Sequence, residues 1–239
     1  MSVAELRVLT YNVRRLRDDR AAVIRVVRAA RADVLCLQEA PGGPLWRTRC
    51  SELAREAGMF LLSGGRPAAG NLLAGAARID VHGTLDIRLS RTRGQQPRGV
   101  SSALLGLGGV RFGVIGVHGG LSASERRRHA GEIVVVADRL RAAGAVGVVV
   151  AGDLNAVPGA AEWLGLGNRF QDAHAARPAG EDLTYPAASP RARIDVVLAE
   201  PPIEVVSAGV LDHPDVVRAS DHRPVLAVLR LPHPHAPAH

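Results

Sequence analysis

Short apolar runs that stop at a polar residue recur along this chain, and they constrain its fold more than any other feature. VLTYN ends on Asn12, VLCLQE on Glu39, FGVIGVH on His118, and VVVAGDLN on Asp153 and Asn155. RID carries Asp195 into VVLA, and SDH places Asp221 and His222 just ahead of RPVLAVL. Apolar runs of about four to eight residues, bounded by turn formers, read as buried strands. One acid or amide at such an end is commonly a turn former or cap. Recurrence of amides, acids and imidazoles at run after run points instead to one cleft where strand ends converge.

Between these runs the spacing changes. DRAAVIRVVRAARA puts Val23, Val26 and Val27 on one helical face. LWRTRCSELAREAG predicts a helix stopped at Gly58. SASERRRHAGEIVVVADRLRAAG predicts a long helix, with Ser122 or Ser124 as N-cap and Gly144 as stop. The first strand is expected over 6–13 and the second over 33–39. Others are expected over 60–62, 71–74, 79–89, 99–105, 110–117, 147–151, 193–198, 203–208 and 224–229, with a short helix over 160–164. The halves are alike: strand, helix, further strands. An α/β fold with two sheets face to face and helices outside would bury every apolar face. The loops PAAGN, RTRGQQPRG and AARPAGEDLTYPAASPRA read as surface connections. One domain is expected over 1–231. The tail PHPHAPAH (232–239) is expected to be disordered, with His233, His235 and His239 solvated.

A composition of 47% hydrophobic and 22% charged residues allows a core of useful size. Aromatics at 3% argue against a base-stacking platform. The net charge is +7, and all 30 basic residues are arginine. Compositional bias accounts for such a charge as readily as attraction to a polyanion does. Arginine does favour bidentate phosphate contacts. Cys36, inside DVLCLQ, reads as a buried free thiol, and two cysteines imply no disulfide framework. No leader-like segment or membrane-length run is visible, so a soluble, cytoplasmic monomer is expected.

The polar residues at strand ends make a coherent chemical set. Glu39 and Asp221 are hard oxygen donors suited to Mg²⁺ or Mn²⁺. His118 and His222 can donate to phosphoryl oxygens or move protons. Asp195 or Asp221 can orient an imidazole. Asn12 and Asn155 can fix water or phosphate oxygens. Structural-zinc spacing, a Gly-x-Ser-x-Gly elbow and a P-loop are all missing from the sequence. Hydrolysis of a phosphoester by activated water fits what remains.

In this order, TYN, LQE, GVH, GDLN, RID and SDHRP resemble the endonuclease/exonuclease/phosphatase superfamily, to which pancreatic deoxyribonuclease and exonuclease III belong. The resemblance runs from about Leu6 to Leu231. It implies a four-layer α/β/β/α sandwich with a Mg²⁺- or Mn²⁺-dependent site at one end of the sheets. By that resemblance Glu39 is the main metal ligand, helped by Asn12 and Asp221. Asp153 and His222 handle protons, with Asp195 orienting a histidine, and Asn155 and His118 contact the phosphate. AGNLL and PRG match a Gly-Asn strand and an Arg-led strand, which nominates Asn71 and Arg98 as substrate-binding residues.

Some segments depart from the family pattern. VHGGL, with Gly119 and Gly120, is expected to loosen the loop after His118, and RRLRDD after Asn12 is expected to narrow the pocket. Three functions are compatible with the set. The first is a phosphodiesterase or nuclease on DNA or RNA, with Arg91, Arg93, Arg98 and Arg126 to Arg128 forming a positive track beside the cleft. The alternative is a phosphatase or phosphodiesterase on a nucleotide, sugar or lipid phosphate. A non-catalytic phosphate-binding module is the third.

Overall fold

The computed structural model describes residues 4–233, so His235 and His239 of the tail lie outside the described residues. Two six-stranded sheets lie face to face. The first runs β11 (Glu204–Val210), β12 (Val225–Arg230), β1 (Glu5–Asn12), β2 (Val34–Gln38), β4 (Leu72–Gly75), β3 (Phe60–Gly64). The second runs β5 (Asp80–Arg88), β6 (Gly99–Leu107), β7 (Val110–His118), β8 (Val148–Asp153), β10 (Asp195–Ala199), β9 (Gln171–Asp172). Helices α1 (Arg20–Ala30) and α2 (Trp46–Glu56) cover the first sheet, and α3 (Ala123–Ala142) with α4 (Ala161–Gly167) covers the second.

Burial on both faces explains why the apolar runs are unbroken rather than alternating. Leu6 and Val8 of β1 point between the sheets, where they join Cys36, Leu105, Phe112, Val149 and Val197. Leu9 and Tyr11, on the other face, pack under Val23, Val26 and Val27 of α1. Ile115, Val117, Val148 and Val150 of the second sheet meet Ile133, Val136 and Leu140 of α3. The result is the expected α/β/β/α sandwich. Both cysteines are free and buried. No helix among the described residues is long and apolar enough to cross a membrane.

Local signals set the helix ends. Asp19 caps α1 by accepting from the Ala22 N–H at 3.0 Å. Ser122, rather than Ser124, caps α3 by accepting from Glu125 N–H. The sequence gives no sign of the shortest pieces: a tight turn at Arg14–Leu16, β9, α5 (Ala173–Ala176) and α6 (Val216–Ala219). Elements of two to four residues are too short for any period to show.

Strand direction then gathers the polar residues. Asn12 closes β1 opposite Gln38 of parallel β2, one residue before Glu39. Antiparallel β12 starts beside the end of β1, just after Asp221 and His222. In the second sheet His118 of β7 pairs with Asp153 of β8, and Asp153 with Asp195 of antiparallel β10. Gly99, at the start of β6, pairs with His118 and brings Arg98 to the same end.

Phe112 is fully buried between the sheets. Phe112→Ala is expected to cost about 3–5 kcal/mol in urea unfolding. A loss under about 1 kcal/mol would show that the layer between the sheets is loosely packed.

Candidate active site

Asp153 is the centre of the site. It is buried, and its Oδ2 accepts from Asn12 Nδ2 at 3.1 Å, across the gap between the sheets. His118 Nε2 lies 3.4 Å from the same oxygen and His222 Nε2 lies 3.8 Å from it. Oδ1 accepts from the Asn155 N–H at 2.8 Å, a turn made possible by the left-handed backbone of Asn155, φ 52°. Burial, and then the nearby Asp195 charge, raise the Asp153 carboxyl above the ordinary range.

The two histidines differ in charge. Burial opposes a charge on His222, but Asp195 Oδ2 at 2.9 Å from Nδ1, together with Asp153 and Asp221, more than offsets it. Its pKa is raised to about 9, so the ring is protonated at neutral pH. Burial pushes His118 down to about 4, the Asp153 attraction being too weak to reverse it and Arg98 adding to the drop, so this ring is neutral. Arg98 Nη1 sits 3.0 and 2.9 Å from the two His118 ring nitrogens. One nitrogen equidistant from both cannot align with both lone pairs, so this is a packing contact as much as a hydrogen bond. Arg98 is only 8% exposed, and burial lowers its pKa.

Backbone and neighbouring side chains fix these groups. Ser220 Oγ donates to Asn12 O at 2.7 Å and accepts from His222 N–H, which ties the SDH segment to β1. Thr184 Oγ1 accepts from the N–H groups of Ile194 and Asp195 at 3.1 and 3.2 Å. The Tyr185 ring stands 4.8 Å from the His222 ring, centroid to centroid. Thr184 and Ala187 are buried, so the 178–192 loop is not a surface connection throughout: part of it backs the site. The sequence reading passed over Thr184 and Tyr185. Their only signal was a Tyr-Pro pair shortly before RID.

Asn71 is engaged with the backbone. It is wholly buried, and its Nδ2 donates to the carbonyls of Ala68 at 2.9 Å and Gly99 at 2.7 Å. It thereby ties the first sheet to the strand that carries Arg98. Asn155 Nδ2 donates to Gly119 O at 3.1 Å, so this amide also braces the segment after His118.

That segment is tight, contrary to the loosening expected from two glycines. A Cβ on Gly119 would stand 2.4 Å from Leu154 O, and one on Gly120 would stand 2.8 Å from Glu125. The glycines are present because β7, β8 and α3 close in around them. Gly120 N–H donates to His129 Nδ1, and His129 Nε2 lies 2.9 Å from Ser90 O.

Glu39 and Asp221 form a second carboxylate set on the solvent side, their side chains 34% and 32% exposed. Glu39 turns out of its strand with a left-handed backbone, φ 50°. Arg15 Nε lies 4.0 Å from Glu39 and Arg14 Nε lies 3.3 Å from Asp221. Of the arginines of RRLRDD, Arg15 lines the cleft. Oxygen-only donors at a solvent-facing position fit a hard divalent cation. Asn12 is less free for one, since its Oδ1 accepts from Arg14 N–H. By distance alone Asp153, Asp195 and His222 could also hold an ion. With Nδ1 hydrogen-bonded to Asp195 and the ring protonated, His222 offers an ion no lone pair.

A cleft of about 370 Å³ opens beside these groups, lined by Arg15, Glu39, Arg66, Arg88, Arg98 and His118 among others. The track expected from Arg91, Arg93 and Arg126 to Arg128 does not line it. The loop that carries Arg91 and Arg93 is clamped to α3 instead, where Ser90 N–H donates to Glu132 and Thr92 N–H to Glu125. Arg128 donates to Thr92 Oγ1 on that face.

This geometry agrees with the comparisons. The family model "Endonuclease/Exonuclease/phosphatase family" matches residues 9–222, and the chain belongs to that family. Its members hydrolyse phosphoester bonds. A solved family protein from Bacteroides thetaiotaomicron is similar over 100% of this chain and 99% of its own, with 18% identity and a TM-score of 0.83. A mannosyl-6-phosphatase from the same species aligns over 94% of this chain and 99% of its own, with 17% identity and a TM-score of 0.79. TDP2 from D. rerio, complexed with single-strand DNA product, aligns over 95% and 99%, with 17% identity and a TM-score of 0.73. A search of curated proteins finds no match.

The His222 shift carries a sign. The folded value, about 9, lies above the free value, so its pairing stabilises the fold fully below about 6.5 and ceases to as pH rises through about 9. In metal-free protein, the His222 ring signals are expected to titrate near 9 by NMR, and Asp195→Asn should move that midpoint down. A midpoint below 7 in the unaltered chain would remove the protonated ring from the site.

Proposed function

We propose that this chain is a Mg²⁺- or Mn²⁺-dependent phosphoesterase that attacks a phosphodiester with activated water. One observation carries this reading: a buried Asp153 is set between a protonated and a neutral imidazole, at the sheet end where the strands that carry Glu39 and Asp221 also meet. Glu39 and Asp221 are the residues that would hold the cation, with Asn12 in support. The cation, when bound, offsets charge on the phosphoryl oxygens and makes a nearby water more acidic.

The chain's own groups do the rest. Asp153, its carboxyl raised above the ordinary range by burial, takes the proton from the attacking water. His222, fixed by Asp195 at Nδ1, presents the Nε2 proton to the phosphate. His118, neutral and packed on Arg98, donates one N–H to a phosphoryl oxygen, and the Arg98 guanidinium adds positive charge behind it. Asn155 and Asn71 hold the strands that carry these groups. Nucleic acid and a small phosphodiester are both compatible with the reading. The arginines of the cleft favour a substrate with more than one negative charge.

A screen of plasmid DNA, single-stranded DNA and RNA, bis(p-nitrophenyl) phosphate, sugar phosphates and nucleotides tests the activity, with Mg²⁺ or Mn²⁺ and a chelator control. Diester turnover abolished by chelator is expected. Turnover of monoesters alone would replace the diesterase with a small-molecule phosphatase. Asp153→Asn is expected to lower kcat by about 10²–10⁴ with folding intact. Glu39→Gln should weaken Mg²⁺ binding in calorimetry, and unchanged affinity would take Glu39 out of the metal site.

A further inference from the structure

We infer that Arg66 and Arg88 form a second anion subsite, which takes a phosphate of the substrate other than the one being cleaved. The inference rests on the phosphoesterase reading and names its substrate class: a phosphoester that carries a further phosphate nearby.

The placement follows from the sheet. Arg88 ends β5 and pairs with Gly99, the residue after Arg98, so Arg88 stands one strand outward from Arg98. Gly99 in turn pairs with His118. Strands lie about 4.8 Å apart, so the backbone of Arg88 is roughly 10 Å from that of His118. Arg66 comes from the loop between β3 and β4 of the other sheet, and an Arg88 guanidinium N–H donates to its carbonyl. Both arginines line the same cleft as Glu39 and His118.

The other cleft arginines are engaged. Arg15 lies beside Glu39, and Arg98 packs on His118. Among the described residues Arg66 and Arg88 have no carboxylate partner. The nearest acid along β5, Asp86, accepts from Ser63 Oγ and Gly64 N–H and is not part of the cleft lining. The chain therefore places two uncompensated guanidinium groups at the outer end of a cavity that holds a single acid, Glu39.

The walls leave room for a ligand there. Gly42, Gly43, Ala69 and Gly70 line the cleft and carry little or no side chain. A Cβ at Gly42 or Gly43 would meet nothing within 4 Å. About 370 Å³ exceeds what a lone phosphate fills and lies within the range of small-ligand sites. Guanidinium forks bind phosphate in bidentate fashion, so a pair of them at a fixed distance from the reacting centre reads substrate length as well as charge.

The test is a binding comparison on the Asp153→Asn chain with Mn²⁺, so that nothing turns over. Calorimetry would compare thymidine 5′-monophosphate, thymidine 3′,5′-bisphosphate and a short DNA oligonucleotide, before and after adding Arg66→Ala and Arg88→Ala. The double change is expected to weaken the bisphosphate, the oligonucleotide or both by about tenfold or more, and the monophosphate far less. The ligand that loses more identifies the source of the second phosphate as a small molecule or a chain. A loss on the monophosphate as large as those on the bisphosphate and the oligonucleotide, or no loss on the bisphosphate and none on the oligonucleotide, would overturn the subsite, as would failure of the parent chain to bind either of these more tightly than the monophosphate. Retained monophosphate binding reports that the variant is folded. A wild-type chain that turned over no phosphoester would defeat the hydrolase reading and leave this comparison standing.

Discussion

The hydrogen bond from Asn12 to Asp153 joins two sheets whose facing surfaces are mostly apolar side chains. A buried carboxylate without partners is costly, and the cost falls as donors gather around it. Asn12, the Asn155 N–H, His118 and His222 all converge on Asp153. That demand fixes how the sheets register at this end. A second tie, from Asn71 to Gly99 O, keeps the outer strands in step. The geometry of the site and the packing of the sandwich are therefore one problem. A shift of one sheet against the other would leave the Asp153 carboxylate without its amide donor.

Strain accumulates at the same end. Arg14, Arg15, Leu16, Glu39 and Asn155 all have left-handed backbones, which non-glycine residues rarely adopt. Arg15 and Glu39 among them line the cleft. Neighbouring backbone bonds hold them: Arg15 N–H donates to Glu39 O at 2.8 Å, and Ala40 N–H to Gly70 O at 2.8 Å. A glycine at position 39 would relieve the backbone but would remove the carboxylate.

The parts of this arrangement that were legible in the sequence share a cause. Buried strands write themselves as apolar runs, and the residues that end them stand out against that background. Asn12, Glu39, His118, Asp153, Asp195 and His222 were visible for this reason. Asn71 was visible too, but its role was not, because the sequence does not say that its amide would be enclosed between two carbonyls. Gly119 and Gly120 were read as freedom, whereas they mark close approach. A glycine in a sequence looks the same whether space is empty or full around it. Thr184 and Tyr185 were hidden in a loop of turn formers, where no period distinguishes a backing residue from a solvated one. The rim arginines of α3 do not line the cleft, because contacts between the 90–97 loop and α3 decide which way that loop lies.

Burial divides the four carboxylates of the site into two pairs, and the division assigns their chemistry. Asp153 and Asp195 are enclosed, and both face imidazoles. In such surroundings a carboxylate changes the charge of its neighbour, as Asp195 does in raising His222. Glu39 and Asp221 remain partly open to solvent, and each has an arginine as its ion-pair partner. An arginine cannot give up its proton, so neither of these two ion pairs can pass one on. What the outer pair offers is fixed negative charge at an accessible edge, the condition under which a hard cation keeps some of its waters while it binds. On the proposed reading, proton handling falls to the inner pair and charge compensation to the outer pair. Asn12 stands between them, with its amide nitrogen on Asp153 and its backbone oxygen on the Ser220 hydroxyl beside Asp221.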